Sequence, residues 1–292
     1  MAGPAPDAEL SPDLAALVRQ AGSALVAAVP LSRRGAKPRA TAFQLRFADG
    51  TLWKGTELDN PDQAAAVAGL ASDLPAGAPR VISQRGAALV SEWVEGVTLQ
   101  SAAWTDDVVR ACGALQAQVH MWRPTAPADA DSILRGWHRR LSWRLDVLVA
   151  DGLLAAADAG ALAGLARDHM PARCDAGVVL GDFCAENIVC RDGAPYLIDL
   201  ETLIIGPCDY DLGRTWYRWP MSEAQRAVYL DGYRRHRSAD AFLAHRVFWT
   251  IAALAEGAVF RAQQRAATSA VPLDALRALL AAGGADPPGS PR

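Results

Sequence analysis

The stretch Val178–Asp199 reads VVLGDFCAENIVCRDGAPYLID and holds three polar side chains in a fixed order. An apolar run leads into Gly181 and Asp182, and Asn187 follows the aspartate by five residues. A second run of strand-forming residues ends in Asp199, twelve residues after the asparagine. The pattern therefore predicts two carboxylates and one amide at the ends of short, buried strands.

This set of side chains favours phosphoryl transfer. One carboxylate can orient and deprotonate an attacking hydroxyl, while the amide oxygen and the second carboxylate can hold Mg²⁺ against nucleotide phosphates. Taken singly, such residues are common because aspartate and asparagine form turns. Their combination, with each residue beside an apolar run, instead predicts a phosphoryl-transfer site. A degenerate site of the same type and a coincidental arrangement are the alternatives.

The motifs resemble those of the kinase-like superfamily, in which Asp-x-x-x-x-Asn is followed by a metal-binding aspartate. They are most similar to the aminoglycoside phosphotransferase and choline kinase family. The matching segments are Leu180-Gly181-Asp182, Asn187, Ile198-Asp199-Leu200-Glu201 and Gly206–Leu212. Leu180 departs from the family pattern, which usually has histidine at this position.

The resemblance implies a role for each matching residue. Asp182 would be the catalytic base, and Asn187 and Asp199 would be the ligands of Mg²⁺. Asp211 would brace the catalytic loop from the following helix, and Arg214 is expected to pair with a nearby carboxylate.

The same resemblance implies an α+β fold of the bilobal protein-kinase-like type, with an N-terminal antiparallel sheet lobe and a mainly helical C-terminal lobe. The expected organisation is a tail and helix over residues 1–30 and a nucleotide-binding N-lobe over 31–95. A catalytic and acceptor-binding C-lobe over 96–282 and a disordered tail over 283–292 would follow.

Residue patterns agree with this order of elements. Hairpin signatures over residues 42–54 and 81–94 flank a helix that begins at Pro61, as a kinase N-lobe requires. Residues 14–29 favour a helix of small apolar residues. After residue 96 the pattern is helical, with strand-like interruptions at 178–180, 188–190 and 196–198.

Lys54 ends the first hairpin, where the resembled family carries a lysine that contacts the nucleotide phosphates. The alternative is a solvent-facing lysine in an alternating strand. A kinase-like lysine also needs an acidic partner from the following helix. Glu57 and Asp62 are candidates and Gln63 lies nearer the usual position, so the partner stays open.

Two further segments are expected to contact ATP. Ser32–Arg39 holds four basic residues and one glycine, and we expect Arg33 and Gly35 to contact phosphates, with a solvated basic turn as the alternative. The segment after the second hairpin falls where the family reads adenine through backbone hydrogen bonds. Glu92 and Val94 are therefore the expected adenine contacts.

The composition is that of an ordinary globular protein, with 292 residues, 51% hydrophobic and 21% charged, and a net charge of −3. It favours neither nucleic acid nor a membrane as a partner. The first residues lack the basic and apolar regions of a signal peptide, and five cysteines without a CxxC pair fit a reducing compartment. We therefore expect a cytoplasmic protein, as a monomer or homodimer.

These features predict an ATP-dependent small-molecule O-phosphotransferase that acts on a hydroxyl of an antibiotic, sugar or amino alcohol, with antibiotic resistance as one such role. From Glu201 onward the chain has nine acidic and eleven Lys or Arg residues. This balance gives no support to a polycationic aminoglycoside, and neutral and anionic acceptors stay open. The alternative is a catalytically weak kinase-like module that binds a nucleotide or regulates a partner.

Overall fold

The computed structural model describes residues 10–31, 41–72, 74, 77–122, 129–264 and 270–284. The chain divides into two compact units. Unit 1 contains the described residues up to Ala102 together with Glu186–Ile204. Unit 2 contains Ala103–Ala185 together with the described residues from Ile205 onward.

Unit 1 is mainly β-structure. Its elements are α1 (Pro12–Arg19), β1 (Leu25–Pro30), β2 (Ala42–Phe47), β3 (Leu52–Glu57), α2 (Pro61–Ala71), β4 (Val81–Arg85), β5 (Ala88–Glu92), β6 (Val97–Thr98), β8 (Ile188–Arg191) and β9 (Ala194–Leu197). Five strands form an antiparallel sheet in the order β1-β2-β3-β5-β4. Lys54 lies on the central strand β3, opposite Gln44 of β2 and Ser91 of β5. The two predicted hairpins and the helix between them are therefore confirmed.

Helix α1 packs on one face of this sheet. Its residues Leu14, Leu17 and Val18 are buried against Phe43 and Val90 of the strands. Removing these apolar side chains from water is the main favourable term in joining a helix to a sheet. The packing supports the sheet that carries Lys54.

The prediction of a single helix over residues 14–29 is wrong for the second half of that range. Helix α1 ends at Arg19, and Gly22 then adopts a left-handed φ of 74°. Residues 25–30 form the edge strand β1, paired antiparallel with β2. Local composition does not reveal this strand, because its residues pair with residues 13 to 22 positions later in the chain and some of them, including Val26, are exposed.

Unit 2 is mainly helical. Its elements are α3 (Asp106–Met121), α4 (Ala130–Ala150), α5 (Ala156–Asp168), β7 (Ala176–Val179), β10 (Ile204–Pro207), α6 (Cys208–Arg218), α7 (Glu223–Arg234), α8 (Asp240–Ala244), α9 (Arg246–Gln263) and α10 (Ala270–Ala281). Strands β7 and β10 pair with each other. In the described ranges, no helix is long and apolar enough to cross a membrane.

Helix α9 is the centre of unit 2. Eleven of its eighteen residues are buried, so other elements must surround it. It packs against α4, α5, α6 and α10. This packing fixes the position of α6, the first α-helix after the predicted catalytic loop along the chain.

Helices α3 and α7 cross at very short range. A methyl group at Gly113 would overlap the carbonyl oxygen of Tyr229, and one at Gly232 would overlap that of Arg110. Only glycine allows two helix backbones to approach this closely. The two glycines thus set the position of α3 on α7.

The α+β organisation expected from sequence is confirmed, with an antiparallel sheet in one unit and helices in the other. The units are not contiguous in sequence, because residues 186–204 group with unit 1 although they follow the predicted lobe boundary at residue 95. Strand pairing explains this grouping, since β8 pairs with β6 as well as with β9. Of the expected tail over 283–292, the residues from 285 onward lie outside the described ranges.

Candidate active site

Lys54 in unit 1 is held by the segment that follows β9. Its Nζ donates a hydrogen bond to the carbonyl oxygen of Ile198 at 2.9 Å. The same nitrogen lies 3.5 Å from Asp199 Oδ1 and 3.7 Å from Glu201 Oε1. The lysine side chain is 13% exposed, so it is no solvent-facing strand residue, and its charge is balanced by two carboxylates.

The partner of Lys54, which the sequence leaves open, comes from this segment and not from α2. Glu57 accepts a hydrogen bond from the amide of Ser11 at 2.8 Å. Gln63 lies on α2 and donates from Nε2 to the carbonyl oxygen of Glu201 at 3.3 Å. Helix α2 therefore contacts Glu201, a carboxylate partner of Lys54, through the neutral side-chain amide of Gln63.

Asn187 and Asp199 are neighbours in unit 1. Asn187 ends a single 3₁₀ turn, Ala185–Asn187, just before β8. Its carbonyl oxygen accepts a hydrogen bond from the amide of Ile198 at 3.1 Å. Because Ile198 directly precedes Asp199, the fold brings the two predicted metal ligands to the same end of the β8–β9 hairpin.

The donor set at this end fits Mg²⁺. Asp199 and Asn187 offer carboxylate and amide oxygens, the hard ligands that Mg²⁺ takes alongside water and substrate phosphates. Asp199 Oδ1 also accepts a hydrogen bond from the amide of Glu201 at 3.3 Å. This bond fixes the orientation of the carboxylate.

The two expected adenine contacts, Glu92 and Val94, differ in their backbone hydrogen bonds. The amide of Glu92 donates to the carbonyl oxygen of Arg80 at 3.0 Å, and its side chain pairs with the Arg80 guanidinium at 2.9 Å. Val94 follows the strand, and within the described part of the chain its peptide groups make no backbone hydrogen bond. Arg33 and Gly35, the expected phosphate contacts, lie outside the described residues.

In unit 2, Asp182 follows β7 through a glycine turn. Gly181 has a φ of 67°, a left-handed conformation that favours glycine. The carboxylate of Asp211 accepts the amide hydrogens of Leu180 at 3.0 Å and of Gly181 at 2.9 Å. The predicted role of Asp211 as a brace of the catalytic loop is confirmed.

A buried hydrogen-bond network holds Asp211 itself. His120 Nε2 lies 3.1 Å from Asp211 Oδ2, and its Nδ1 lies 2.8 Å from the hydroxyl of Tyr233. Gln116 donates to Thr215 at 3.1 Å and to Asp211 at 3.4 Å. Burial lowers the pKa of His120 although the hydrogen bond to Asp211 opposes this.

Sequence reasoning missed this network. The one available signal was polar residues on the buried face of a helix, because Gln116 and His120 lie on the apolar side of α3. Leu180, which stands where the family usually has histidine, is 2% exposed. His120 of α3 thus contacts Asp211, which holds the loop, whereas the loop itself has leucine in place of the family histidine.

Two arginines of α6 contact the predicted base. Arg214 Nη2 donates to Asp182 Oδ1 at 2.8 Å, and Arg218 Nη1 donates to the same oxygen. Burial opposes the charge on both guanidiniums, but the carboxylate of Asp182 helps to raise their pKa. The predicted pairing of Arg214 is confirmed, whereas no sequence pattern pointed to Arg218.

Comparison with known proteins gives a family match. The sequence profile of the phosphotransferase enzyme family matches residues 62–243, which is more than half of the chain. No curated protein sequence matches at a significant level.

Several solved structures share the fold. A putative fructosamine-3-kinase from Thermobifida fusca is 19% identical, with a TM-score of 0.62 over 92% of this chain and 97% of that one. A macrolide 2'-phosphotransferase from Brachybacterium faecium is 17% identical, with a TM-score of 0.57 over 91% and 97%. An AMP-bound spectinomycin phosphotransferase is 10% identical, with a TM-score of 0.62 over 93% and 98%. The expected bilobal protein-kinase-like fold is confirmed.

The profile match spans the segments that carry Gln63, Asp182, Asn187, Asp199 and Asp211. The chain therefore belongs to the phosphotransferase enzyme family, whose members are small-molecule kinases that phosphorylate hydroxyl groups.

Proposed function

We propose that the protein transfers the γ-phosphoryl group of ATP to a hydroxyl of a small molecule. The observation that carries this proposal is the cluster at the end of the β8–β9 hairpin. Lys54 lies 3.5 Å from Asp199, and Asn187 is hydrogen-bonded to the adjacent Ile198. One cation, one carboxylate and one amide beside each other suit a magnesium nucleotide.

In this proposal Asn187 and Asp199 would hold Mg²⁺, which when bound would supply positive charge that screens the phosphates from the attacking oxygen. Lys54 binds the phosphates of ATP, and Glu201 keeps a negative charge beside the lysine while Asp199 serves the metal. The peptide groups of Val94, which make no backbone hydrogen bond to other described residues, are suited to the edge of the adenine ring.

Asp182 orients the acceptor in this proposal. Its carboxylate accepts the proton of the acceptor hydroxyl as the hydroxyl oxygen attacks the γ-phosphorus. The bond between the γ-phosphorus and the bridging oxygen breaks, and ADP leaves. The brace from Asp211 keeps the base in place during this step.

Solved complexes of proteins with the same fold support the proposal that the substrates are a nucleotide and a small acceptor. One of them, an aminoglycoside phosphotransferase, was solved as a ternary complex with streptomycin and ATP, and spectinomycin phosphotransferase was solved with AMP bound. We infer that this chain acts on an acceptor of comparable size, such as an antibiotic, sugar or amino alcohol.

A nucleotide-binding module without efficient turnover is the second candidate. Two observations favour it. Lys54 is already paired with Asp199 and Glu201, and Asp182 is already paired with Arg214 and Arg218. Substrates would have to displace these partners before Lys54 and Asp182 could act.

Two assays separate the candidates. Thermal shift with ATP and Mg²⁺ tests binding, and ADP release over a panel of hydroxylated small molecules tests turnover. The phosphotransferase proposal expects Mg²⁺-dependent stabilisation and ADP release above the rate with water for at least one acceptor. Stabilisation without release across the panel would favour the module. Asp199→Ala should abolish Mg²⁺-dependent binding in either case, and unchanged affinity would contradict the assignment of Asp199.

A further inference from the structure

The proposed base lies in a region of excess positive charge. Arg214 and Arg218 are one helical turn apart on α6 and share one oxygen of Asp182. Their side chains are 14% and 19% exposed. One carboxylate between two largely buried guanidiniums leaves the sum of these three charges positive.

More cations lie next to this pair. Arg144 of α4 is 6% exposed and pairs with Glu256 of α9 at 2.6 Å. Glu256 also accepts a hydrogen bond from Tyr210, and Tyr210 accepts one from Arg214 at 3.3 Å. Burial lowers the pKa of Arg144; Glu256 opposes this shift, and the charges of Arg140 and Arg214 add to it.

The cluster holds four guanidiniums and two carboxylates. Its members are Arg140, Arg144, Arg214, Arg218, Asp182 and Glu256. Among the described residues, Nη1 of Arg144 and Nε of Arg214 are buried and have no hydrogen-bond partner. Buried charged groups normally have all their donors satisfied, because a buried donor without an acceptor has lost its hydrogen bonds to water. Among these six described residues the guanidiniums therefore outnumber the carboxylates, and two buried donors lack an acceptor atom.

We propose that the acceptor carries an anionic group, a carboxylate or a phosphate, and that Arg218 binds this group while Asp182 receives the hydroxyl. This inference rests on the proposed function and names its substrate class. Guanidinium groups match both anions through paired hydrogen bonds.

Arg218 and Arg214 take different parts in this arrangement. Arg214 is tied to both Asp182 and Tyr210, so it positions the base. Arg218 is the last residue of α6, and its side chain is 19% exposed against 14% for Arg214, so we assign the anionic group to Arg218. A polycationic acceptor would instead bring ammonium groups against four guanidiniums.

The test compares matched acceptors in the ADP-release assay at saturating ATP and Mg²⁺. The pairs are glycerate with glyceramide, gluconate with glucose, and glucose 6-phosphate with glucose, and kanamycin serves as a polycation. We expect the anionic member of the best pair to have a kcat/KM at least about tenfold above its neutral partner, as one well-placed charged contact provides. The carboxylate and phosphate pairs tell the two anions apart.

Arg218→Gln should bring that ratio close to one without changing the KM for ATP, and Arg218→Lys should restore part of it. Arg235→Gln, directly after the last residue of α7, is the matched control, because the Arg235 side chain is 59% exposed and lies 3.9 Å from Asp231. Thermal shift with ATP and Mg²⁺ confirms that each variant is folded.

Three outcomes would overturn the inference. Preference for a neutral or cationic acceptor would reject the anion and leave the phosphotransferase proposal standing. Equal losses with both members of a pair in Arg218→Gln would show that Arg218 acts on the transferred phosphoryl group or on Asp182. ADP release that no acceptor in the panel raises above the rate with water would reject the proposed function and this inference together.

Discussion

Lys54 shares its charge with Asp199 and Glu201, two carboxylates of one short segment. In the proposed function Asp199 would bind the metal ion, which would leave Glu201 as the carboxylate beside Lys54. The side chain of Glu201 is 14% exposed, which weakens screening by water. We therefore propose that Glu201 positions Lys54.

Glu201→Gln keeps the shape of this residue and removes its charge. We expect the affinity for ATP with Mg²⁺ to fall about three- to tenfold, the effect of losing an ion pair worth about 1 kcal/mol. The KM of the acceptor should not change. Isothermal titration with ATP and Mg²⁺ measures the effect.

Asp62→Asn is the matched control. Asp62 lies in the first turn of α2 and was one of the candidates for the acidic partner of Lys54. This variant should bind ATP as the unchanged protein does. Weakened binding in Asp62→Asn together with normal binding in Glu201→Gln would contradict the assigned pairing.

His120 links the stability of unit 2 to pH. Burial depresses its pKa below the ordinary value near 6.5, while Asp211 and Asp175 oppose and Arg237 assists this shift. The folded state thus keeps His120 neutral at pH values where the unfolded chain binds a proton. Its contribution to stability is present above about pH 6.5 and is lost as the pH falls below that value.

We expect the stability difference between the unchanged protein and His120→Gln to shrink by about 1–2 kcal/mol between pH 7.5 and 5.0. Urea unfolding at the two pH values measures it. Burial raises the pKa of Asp209 to about 6, which gives a slope of opposite sign between about pH 4 and 6. Asp209 is present in both proteins, so its effect cancels. A difference that does not depend on pH would show that His120 is not held neutral.

At the scale of elements, α3 and α6 position the catalytic loop. Helix α6 carries Asp211, Arg214 and Arg218, and α3 carries His120, which contacts Asp211. Helix α3 is fixed in turn on α7 by the close approach at Gly113 and Gly232. Any change that separates these helices should disturb the loop.

Gly113→Ala tests this crossing. The added methyl group would overlap a backbone carbonyl oxygen that cannot move aside, so we expect a loss of at least about 2 kcal/mol in the free energy of unfolding. Gly136→Ala in α4 is the control, because nothing lies within 4 Å of its added methyl group. Helix propensity alone should then stabilise the control by up to about 1 kcal/mol. Similar stability for both variants would contradict the close approach.

Elements with a local signature could be predicted from the sequence. The hairpins β2–β3 and β4–β5 follow from alternation and turn residues, and α3 follows from its Thr105 cap and one apolar face. Strand β1 could not be predicted, because its apolar residues are compatible with either a helix or a strand. Only pairing with β2 decides between them.

Within the candidate site, too, local patterns could be predicted from the sequence and long-range contacts could not. The order of Asp182, Asn187 and Asp199 could be recognised because each lies beside a short apolar run. The contacts of Glu201 with Lys54 and of Arg218 with Asp182 were not readable, because they join segments far apart in sequence. Charged residues carry no local signal of their partners.

At the scale of the whole molecule, the candidate chemistry is divided between the two compact units. Unit 1 carries Lys54, Asn187 and Asp199, the groups proposed for the nucleotide and metal. Unit 2 carries Asp182 and the arginine cluster, the groups proposed for the acceptor. The division predicts that nucleotide binding and turnover can be lost separately.

The most direct test measures kcat for Asp182→Asn with saturating ATP, Mg²⁺ and the best acceptor, beside the Kd for ATP with Mg²⁺. Asparagine keeps an oxygen toward Arg214 and Arg218 while removing the base. The account predicts a kcat lower by about two to four powers of ten and a Kd that is unchanged within about twofold, since Asp182 is assigned to the acceptor. A kcat equal to that of the unchanged protein would contradict the assignment of Asp182 and the proposed mechanism with it.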